Sequence, residues 1–274
     1  RDGHPTAEDL RVLNGRLDPG FTPPPDAGYI RLTTHNRIAD SVNNTCLETL
    51  PGRTYTYKAQ TKGTFPETSF PTDAMLTLKV GAQVMFIKND TTGAGRFFNG
   101  KVGRVAYLDA TTVKVSFPES PEYITVEPMA WENTTYVVNP ETNTLESSVQ
   151  GTFSQLPLRL AWAITIHKSQ GLTFDRAIID AGASFAPGQV YVALSRCRSL
   201  EGMVLATPIS AYSVIDDPAV ASYIAAEDAR VAESIAILPQ LQSAYRVRLL
   251  CDTFRMAQID TLHGRLCRIL SDTY

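Results

Sequence analysis

Two polar clusters, each at the end of an apolar run, constrain the fold of this chain more than any other feature. The run LPLRLAWAITI leads into residues 167–175, HKSQGLTFD, and residues 189–198 read QVYVALSRCR. Between and after them, residues 174–180 and 203–207 predict short strands. Strands that alternate with helices indicate a parallel sheet covered by helices. Ligands gather at one end of the strands in such sheets, so the clusters mark a candidate site.

The first cluster predicts a helix end that carries four consecutive polar side chains. Consecutive helical residues point in different directions, so these four cannot all enter a core. Gly171 is predicted to end the helix, because the left-handed conformation costs glycine little. The four polar residues are His167, Lys168, Ser169 and Gln170.

The second cluster places two arginines at the end of a predicted helix over residues 189–195. Arg196 and Arg198 follow that helix directly. A guanidinium is permanently charged and can meet phosphate oxygens with two donors, as stabilising a transferring phosphoryl group requires. The second cluster therefore predicts a phosphate contact.

These segments resemble the motifs of superfamily 1 helicases of the Pif and RecD branch. LAWAITIHKSQGLTFD resembles motif V of that branch, and GQVYVALSRCRSLEG resembles motif VI. Residues 29–52 are similar to motif IV, and residues 78–105 to the segment that enters an inserted domain. The resemblance covers roughly residues 7–208. It implies an ATP-driven DNA helicase that moves 5′ to 3′ on single-stranded DNA.

The resemblance also implies roles for individual residues. Arg196 matches the motif VI arginine that reaches the ATP γ-phosphate, so it is expected to be the catalytic arginine finger. Gln170 and Gly171 are expected near the nucleotide as well. Five residues are expected to contact DNA: Thr34, Asn36, His167, Lys168 and Ser169. For Thr34 and Asn36, bracing the cleft is the alternative role.

The expected fold class is α/β, a RecA-like parallel sheet with an inserted small SH3-like β-barrel and a C-terminal helical appendage. Within the barrel, five aromatic residues at alternating positions are expected in the core: Tyr107, Phe117, Tyr123, Trp131 and Tyr136. The expected boundaries are residues 1–28 for the end of a first motor domain and linker, 29–79 plus 153–215 for the second RecA-like domain, 80–152 for the barrel, and 216–274 for the C-terminal helices.

A complete ATP site is not expected in this sequence. Residues 95–101, GRFFNGK, have the GxxxxGK spacing, but Val102 follows where a hydroxyl must bind magnesium. The alternating segment after it predicts strands and not the helix that a phosphate loop opens. ATP and Mg²⁺ are therefore expected to be held mainly by a first motor domain of the same protein. Since the sequence begins at Arg1, a fragment is expected, inactive by itself and without a cofactor of its own.

Composition limits the remaining possibilities. A net charge of −3 weighs against strong nonspecific DNA binding. No apolar stretch reaches the roughly 20 residues that cross a bilayer, so a soluble, cytoplasmic or otherwise intracellular protein without a membrane partner is expected. The four cysteines have no CxxC spacing, and His263 with Cys267 and Cys251 is not expected to bind a metal.

Two alternatives stay open on the sequence alone. The chain could be a nucleic-acid-binding or interaction module without motor activity, or part of an RNA helicase. Two smaller expectations are tested by structure. Phe97 and Phe98 either stack on bases or plug the barrel, and the tail forms helices over 219–238 and about 240–270, with Asp217 as the first cap.

Overall fold

The computed structural model describes residues 5–24, 27–118, 120–138, 144–182, 184, 186–215, 217–254 and 257–273. The chain divides into two compact units, Arg1–Asp216 and Asp217–Tyr274. Among the described residues, no helix combines the length and the apolar character that a membrane span requires.

In the first unit the described residues form three α-helices: α1 (Ala7–Asn14), α2 (Asn36–Thr49) and α3 (Gln189–Leu194). The strands of that unit are β1 (Ile30–Thr33), β2 (Tyr55–Lys58), β3 (Gln60–Gly63), β4 (Met75–Leu78), β5 (Gln83–Phe86), β6 (Val102–Leu108), β7 (Val113–Phe117), β8 (Ser120–Val126), β9 (Met129–Val138), β10 (Leu145–Gln155), β11 (Leu158–Leu160), β12 (Ala163–Thr165), β13 (Ala177–Asp180) and β14 (Met203–Leu205).

The predicted parallel sheet is confirmed, with the strand order β12-β1-β13-β14. Thr33 of β1 is in register with Thr165 of β12 and with Asp180 of β13, so all three strands end at one edge. Leu32 and Thr33, which point to opposite faces of β1, are both completely buried, as expected for strands that are covered on both faces. The fold is therefore mixed α/β. The first polar cluster leaves the sheet at its carboxyl edge, whereas Arg196 and Arg198 pair with Phe174 ahead of the amino end of β13.

The predicted helix over the first cluster is wrong. The structure has a single 3-10 turn, His167–Ser169, and Gln170 already has an extended backbone with ψ of 133°. The Ser169 hydroxyl donates to the Ile166 carbonyl oxygen at 2.6 Å, a local bond that competes with helix continuation. Gly171 does take the predicted left-handed conformation, with φ of +78°.

The remaining strands are antiparallel and form three sheets. The largest has the order β11-β5-β6-β7-β8, the second β3-β10-β9, and the third pairs β2 with β4. Strands β3 and β11 lie outside the expected barrel segment, residues 80–152, yet both pair with strands inside it. An SH3-like barrel over that segment is not confirmed. Phe86, Val115 and Leu158 are completely buried in the core of this region.

The two neighbouring phenylalanines behave differently. Phe97 is buried and stacks on Phe86, with ring centroids 4.1 Å apart, whereas Phe98 is exposed. Phe97 thus fills the core of the antiparallel region, and Phe98 is the member of the pair that solvent or a ligand can reach.

Three of the five aromatic residues expected in the core are exposed instead. Phe117 is buried and Trp131 is half-buried, as their strand positions allow. Tyr107 of β6 is in register with Lys114 of β7, and both therefore lie on the solvent face, opposite Val113 and Val115. The three exposed tyrosines are Tyr107, Tyr123 and Tyr136.

The second unit consists of two helices, α4 (Pro218–Thr253) and α5 (Ala257–Thr273). Asp217 caps α4 as predicted, since its carboxylate accepts from the Ala219 amide at 2.8 Å and Pro218 occupies the first helical position. The predicted division near residue 239 is wrong, because α4 runs through Pro239. A proline removes one backbone donor, and the surrounding Ala and Leu residues, which are good helix formers, continue the helix on both sides.

Candidate functional site

The carboxyl edge of the parallel sheet brings the loop after β1 beside the turn after β12. The Ile166 amide donates to the Thr33 carbonyl oxygen at 2.8 Å, which joins the two segments directly. The Lys168 amide donates to the Thr165 hydroxyl at 3.3 Å. Adjacent parallel strands thus place two sequence-distant polar segments side by side.

Only part of the first cluster faces solvent. His167, Lys168 and Gln170 are exposed, whereas Ser169 has no exposed surface. The Ser169 hydroxyl is used in its bond to Ile166, so this side chain holds the turn together. The expectation that Ser169 lies toward DNA is corrected, because a buried and satisfied hydroxyl has no donor to offer a ligand.

The segment after β1 likewise contains one buried and one exposed polar side chain. Thr34 is only 5% exposed, and its hydroxyl lies 2.8 Å from Nδ1 of His35. It therefore cannot contact a DNA backbone directly, and its expected role is limited to bracing the loop. Asn36 is exposed at the first position of α2, with the exposed Arg37 beside it.

Gly171 leaves open space beside the turn. No heavy atom beyond its chain neighbours lies within 4 Å of where a Cβ would stand. The adjacent Gln170 is exposed. The backbone at this point can be approached closely, which suits a phosphate or a ribose.

Arg196 is partly buried and is tied to both clusters. Its Nε donates to the Val192 carbonyl oxygen at 3.0 Å and its Nη1 to the Leu172 carbonyl oxygen at 3.0 Å. Nη2 donates to the Ser195 hydroxyl at 2.9 Å. A guanidinium has five N–H groups, so two remain beyond these three bonds to the described part of the chain.

A backbone pairing also joins the two clusters. The Phe174 amide donates to the Arg196 carbonyl oxygen at 2.8 Å, and the Arg198 amide donates to the Phe174 carbonyl oxygen at 2.9 Å. The side chain of Arg198 is mostly exposed and pairs with Asp175 at 2.9 Å. The sequence predicted that the two clusters meet, and the structure confirms it.

A small polar cavity of about 70 Å³ lies between α2 and the end of β12. Lys168 and Arg159 line it together with Asp40 and Asn43. Desolvation, followed by the positive charge of Arg159, lowers the pKa of Lys168, and the carboxylates of Asp40 and Asp73 oppose that effect. Lys168 therefore lies near one like charge, Arg159, and two carboxylates, Asp40 and Asp73.

Asn43 is a structural residue of the site that the sequence analysis missed. Its side chain donates to the Ala163 carbonyl oxygen at 2.8 Å and accepts from the Ala163 amide at 2.9 Å. These bonds satisfy the open edge of β12. A signal was present, because Asn43 shares the buried face of α2 with Ala39 and Leu47 at i−4 and i+4.

Cys267 and His263 lie close together on one helix. Sγ of Cys267 and Nε2 of His263 are 3.7 Å apart on α5. Across the residues that the structure describes, no group of three or more His, Cys, Asp and Glu side chains could hold an ion.

Sequence comparison relates the chain to Pif1 helicases, although no family model matches it. It is 38% identical to the human ATP-dependent DNA helicase PIF1 over 181 residues, which covers 63% of this chain and 26% of the human protein. It is 34% identical over 233 residues to the ATP-dependent DNA helicase Pif1 of a Psychrobacter strain, covering 66% of this chain and 34% of that protein. The chain thus spans about a quarter to a third of these curated relatives.

Solved structures agree with the sequence relatives. A Bacteroides Pif1 in complex with ADP-AlF4 matches with a TM-score of 0.73 and 36% identity over 84% of this chain and 52% of that one. A Bacteroides Pif1 with ADP-AlF3 and single-stranded DNA matches with a TM-score of 0.64 and 37% identity over 83% and 52%. The homologues of this chain are Pif1 helicases, and the chain resembles a partial, C-terminal region of such a protein.

Proposed function

We propose that this chain is the second motor domain of an ATP-dependent DNA helicase that translocates 5′ to 3′ on single-stranded DNA. The observation that carries the proposal is the junction of the two polar clusters through Arg196 and Leu172. In a motor of this kind the nucleotide and the DNA track must be coupled mechanically. A single guanidinium that joins the two segments is suited to that coupling.

Arg196 is the proposed arginine finger. Three of its N–H groups are held by the chain itself, which fixes the plane of the guanidinium before any ligand arrives. The two remaining donors can meet phosphate oxygens, and preorganised donors of this kind stabilise the charge that develops in phosphoryl transfer. Gln170 and Gly171, exposed beside it, would lie against the nucleotide.

The proposed DNA track uses the exposed side chains at the carboxyl edge of the sheet. His167 and Lys168 project from the turn, and Asn36 from the start of α2. A cation and two hydrogen-bonding groups are suited to successive phosphates, which carry most of the affinity for nucleic acid. The Bacteroides relative with bound single-stranded DNA supports this choice of ligand.

The other half of the ATP site would come from a first motor domain of the same protein. The segment 95–101 cannot supply it, since it leads into strand β6 and not into a helix. ATP and Mg²⁺ would be held mainly by that partner domain, with Arg196 completing the site. We interpret the sheet of β5 to β8 with β11 as the inserted SH3-like barrel.

A DNA-stimulated ATPase assay tests the proposal on this chain alone and on the same chain joined to a first motor domain. We expect turnover only in the joined protein, and an Arg196→Ala variant of it should lose roughly 10³-fold or more in rate. Arg198→Ala is the matched control, because Arg198 is exposed and paired with Asp175. Turnover that survives Arg196→Ala would remove the arginine-finger role. Binding of DNA or RNA without any turnover would favour a binding module instead.

A further inference from the structure

Helix α4 carries a long apolar stripe on one face. Successive helical residues turn by about 100°, so residues with the spacing of this set lie within an arc of about 80°. Each of them is between 41% and 65% exposed. Glu227 and Gln242 fall within the same arc, and the other positions of the arc between 220 and 249 are apolar. Exposed apolar surface of this extent marks an interaction site. The stripe consists of Val220, Ile224, Val231, Ile235, Leu238, Tyr245 and Leu249.

Glu227 lies within the arc of the stripe, and Arg248 lies about 60° outside it on the side nearer Glu227. The midpoint of the segment from Glu227 to Arg248 falls between Ile237 and Leu238. A two-fold axis through that point, relating two antiparallel copies of α4, would bring Glu227 of one copy beside Arg248 of the other. An interface between identical chains must be self-complementary in this way, with each contact made twice.

Taken together, the charged residues of α4 show the same asymmetry, with acidic residues mainly before the axis and basic residues mainly after it. The half before the axis is acidic, because its three carboxylates outnumber its one arginine, Arg230. The half after the axis is basic, because its two arginines outnumber its one carboxylate, Asp252. The three carboxylates are Glu227, Asp228 and Glu233, and the two arginines are Arg246 and Arg248. An antiparallel pair therefore places an acidic half against a basic half. A parallel pair would place like halves together and lose that attraction.

We propose that the stripe on α4 is a self-association surface, covered by the same stripe of a second copy of this chain in antiparallel orientation. The occupant is identified by the apolar face together with the symmetric charges. This proposal concerns the second unit and is independent of the proposed motor function.

Existing ion pairs within α4 do not oppose this arrangement. Arg230 pairs with Glu227 at 2.7 Å and Arg248 with Asp252 at 3.8 Å. All four side chains are substantially exposed, and exposed pairs contribute little. A carboxylate has several acceptor positions and a guanidinium five donors, so both can take a further partner.

The size of the stripe predicts how tight the association is. With 36 residues, α4 is about 54 Å long, and a face about 10 Å wide offers on the order of 500 Å² from each copy. The total of about 1,000 Å² is at the lower limit of specific interfaces. We therefore expect a reversible dimer whose population depends on protein concentration.

Sedimentation equilibrium of the whole 274-residue chain tests the proposal. The chain should shift from monomer to dimer as its concentration rises to the order of 100 μM, since interfaces below about 1,200 Å² are typical of weak, transient association. Leu238→Lys should weaken the dimer at least tenfold. The matched control is Val247→Lys, an exposed residue on the opposite side of the helix, which should leave the dimerisation constant within about twofold.

Charge reversal tests the orientation. Glu227→Arg alone and Arg248→Glu alone should each weaken the dimer roughly three- to tenfold. An equimolar mixture of the two variants should regain wild-type affinity, because both cross-chain pairs are then opposite in charge. A wild-type chain that stays monomeric, equal effects of Leu238→Lys and Val247→Lys, or a mixture that does not recover would each overturn the proposal. Unchanged far-ultraviolet circular dichroism would show that the variants keep their helices.

Discussion

Nη1 of Arg196 donates a hydrogen bond to the carbonyl oxygen of Leu172 at 3.0 Å. The same guanidinium reaches the Val192 carbonyl oxygen through Nε. One side chain at the end of α3 is thereby fixed to the segment that leaves the turn after β12. The residue proposed to contact the nucleotide is also a structural connection between the two polar clusters.

Arg196→Lys should therefore lower stability as well as activity. A lysine ammonium is a point donor and cannot reach both carbonyl oxygens in the geometry of the guanidinium. We expect a loss of about 1 to 3 kcal/mol in the free energy of unfolding, measured by urea denaturation. Arg198→Lys, at a mostly exposed ion pair, should change it by less than about 1 kcal/mol. Equal losses for both variants would show that the two bonds to backbone oxygens stabilise nothing.

Lys168 and Ser169 should have opposite phenotypes although they are neighbours. In the chain joined to a first motor domain, Lys168→Ala should weaken single-stranded DNA binding and reduce its slope against log salt concentration by about 1. Ser169→Ala should lower the free energy of unfolding by about 1 kcal/mol, because the buried Ile166 carbonyl oxygen loses one of its two donors and keeps only the Ser169 amide. The salt slope should not change in that variant. A reduced slope in Ser169→Ala would restore the DNA role that its burial argues against.

Two glycines should respond to alanine for different reasons. Gly171→Ala should cost about 1 to 2 kcal/mol, since a side chain disfavours its φ of +78° while the space around it is open. Gly202→Ala should cost about 3 kcal/mol or more, because a Cβ there would overlap the Asp175 carbonyl oxygen. Thermal or urea unfolding of the two variants gives the comparison. A larger loss at Gly171 would contradict this ranking.

Asp109 should titrate well below an ordinary aspartate. The amides of Thr111 and Thr112 and the Tyr107 hydroxyl donate to its carboxylate and lower its pKa from 3.8 to about 2. A folded-state pKa below the unfolded one means that the carboxylate stabilises the fold above pH 3.8, and that this contribution disappears as the pH falls towards 2. NMR titration of the carboxyl carbon should give a midpoint near 2. A midpoint near 3.8 would show that these bonds do not form in solution.

Much of the architecture could be predicted because it depends on local patterns. Apolar runs such as residues 163–166 predicted buried strands, and the alternation of strands with predicted helices indicated a parallel sheet. The Asp217-Pro218 pair marked the start of α4 through its capping chemistry. These signals act within a few residues, so they are complete in the sequence.

Other features depended on contacts between distant segments. The alternation of apolar and polar residues along β6 to β8 showed the period of the strands, but not which of their faces is buried. The pairing of Tyr107 with Lys114 placed Tyr107 on the solvent face. The pairing of β3 with β10 and of β11 with β5 likewise joins segments that no local pattern connects.

For the candidate site, the sequence by itself determined which polar residues end the apolar runs and that the two clusters would lie side by side. Only the tertiary structure decided which of them face outward. Ser169 and Thr34 are buried, because the turn and the loop use their hydroxyls locally, whereas Lys168 and Asn36 are exposed. The reason is physical: side-chain type limits the chemistry available, but the direction of a side chain follows from backbone geometry that distant strands impose.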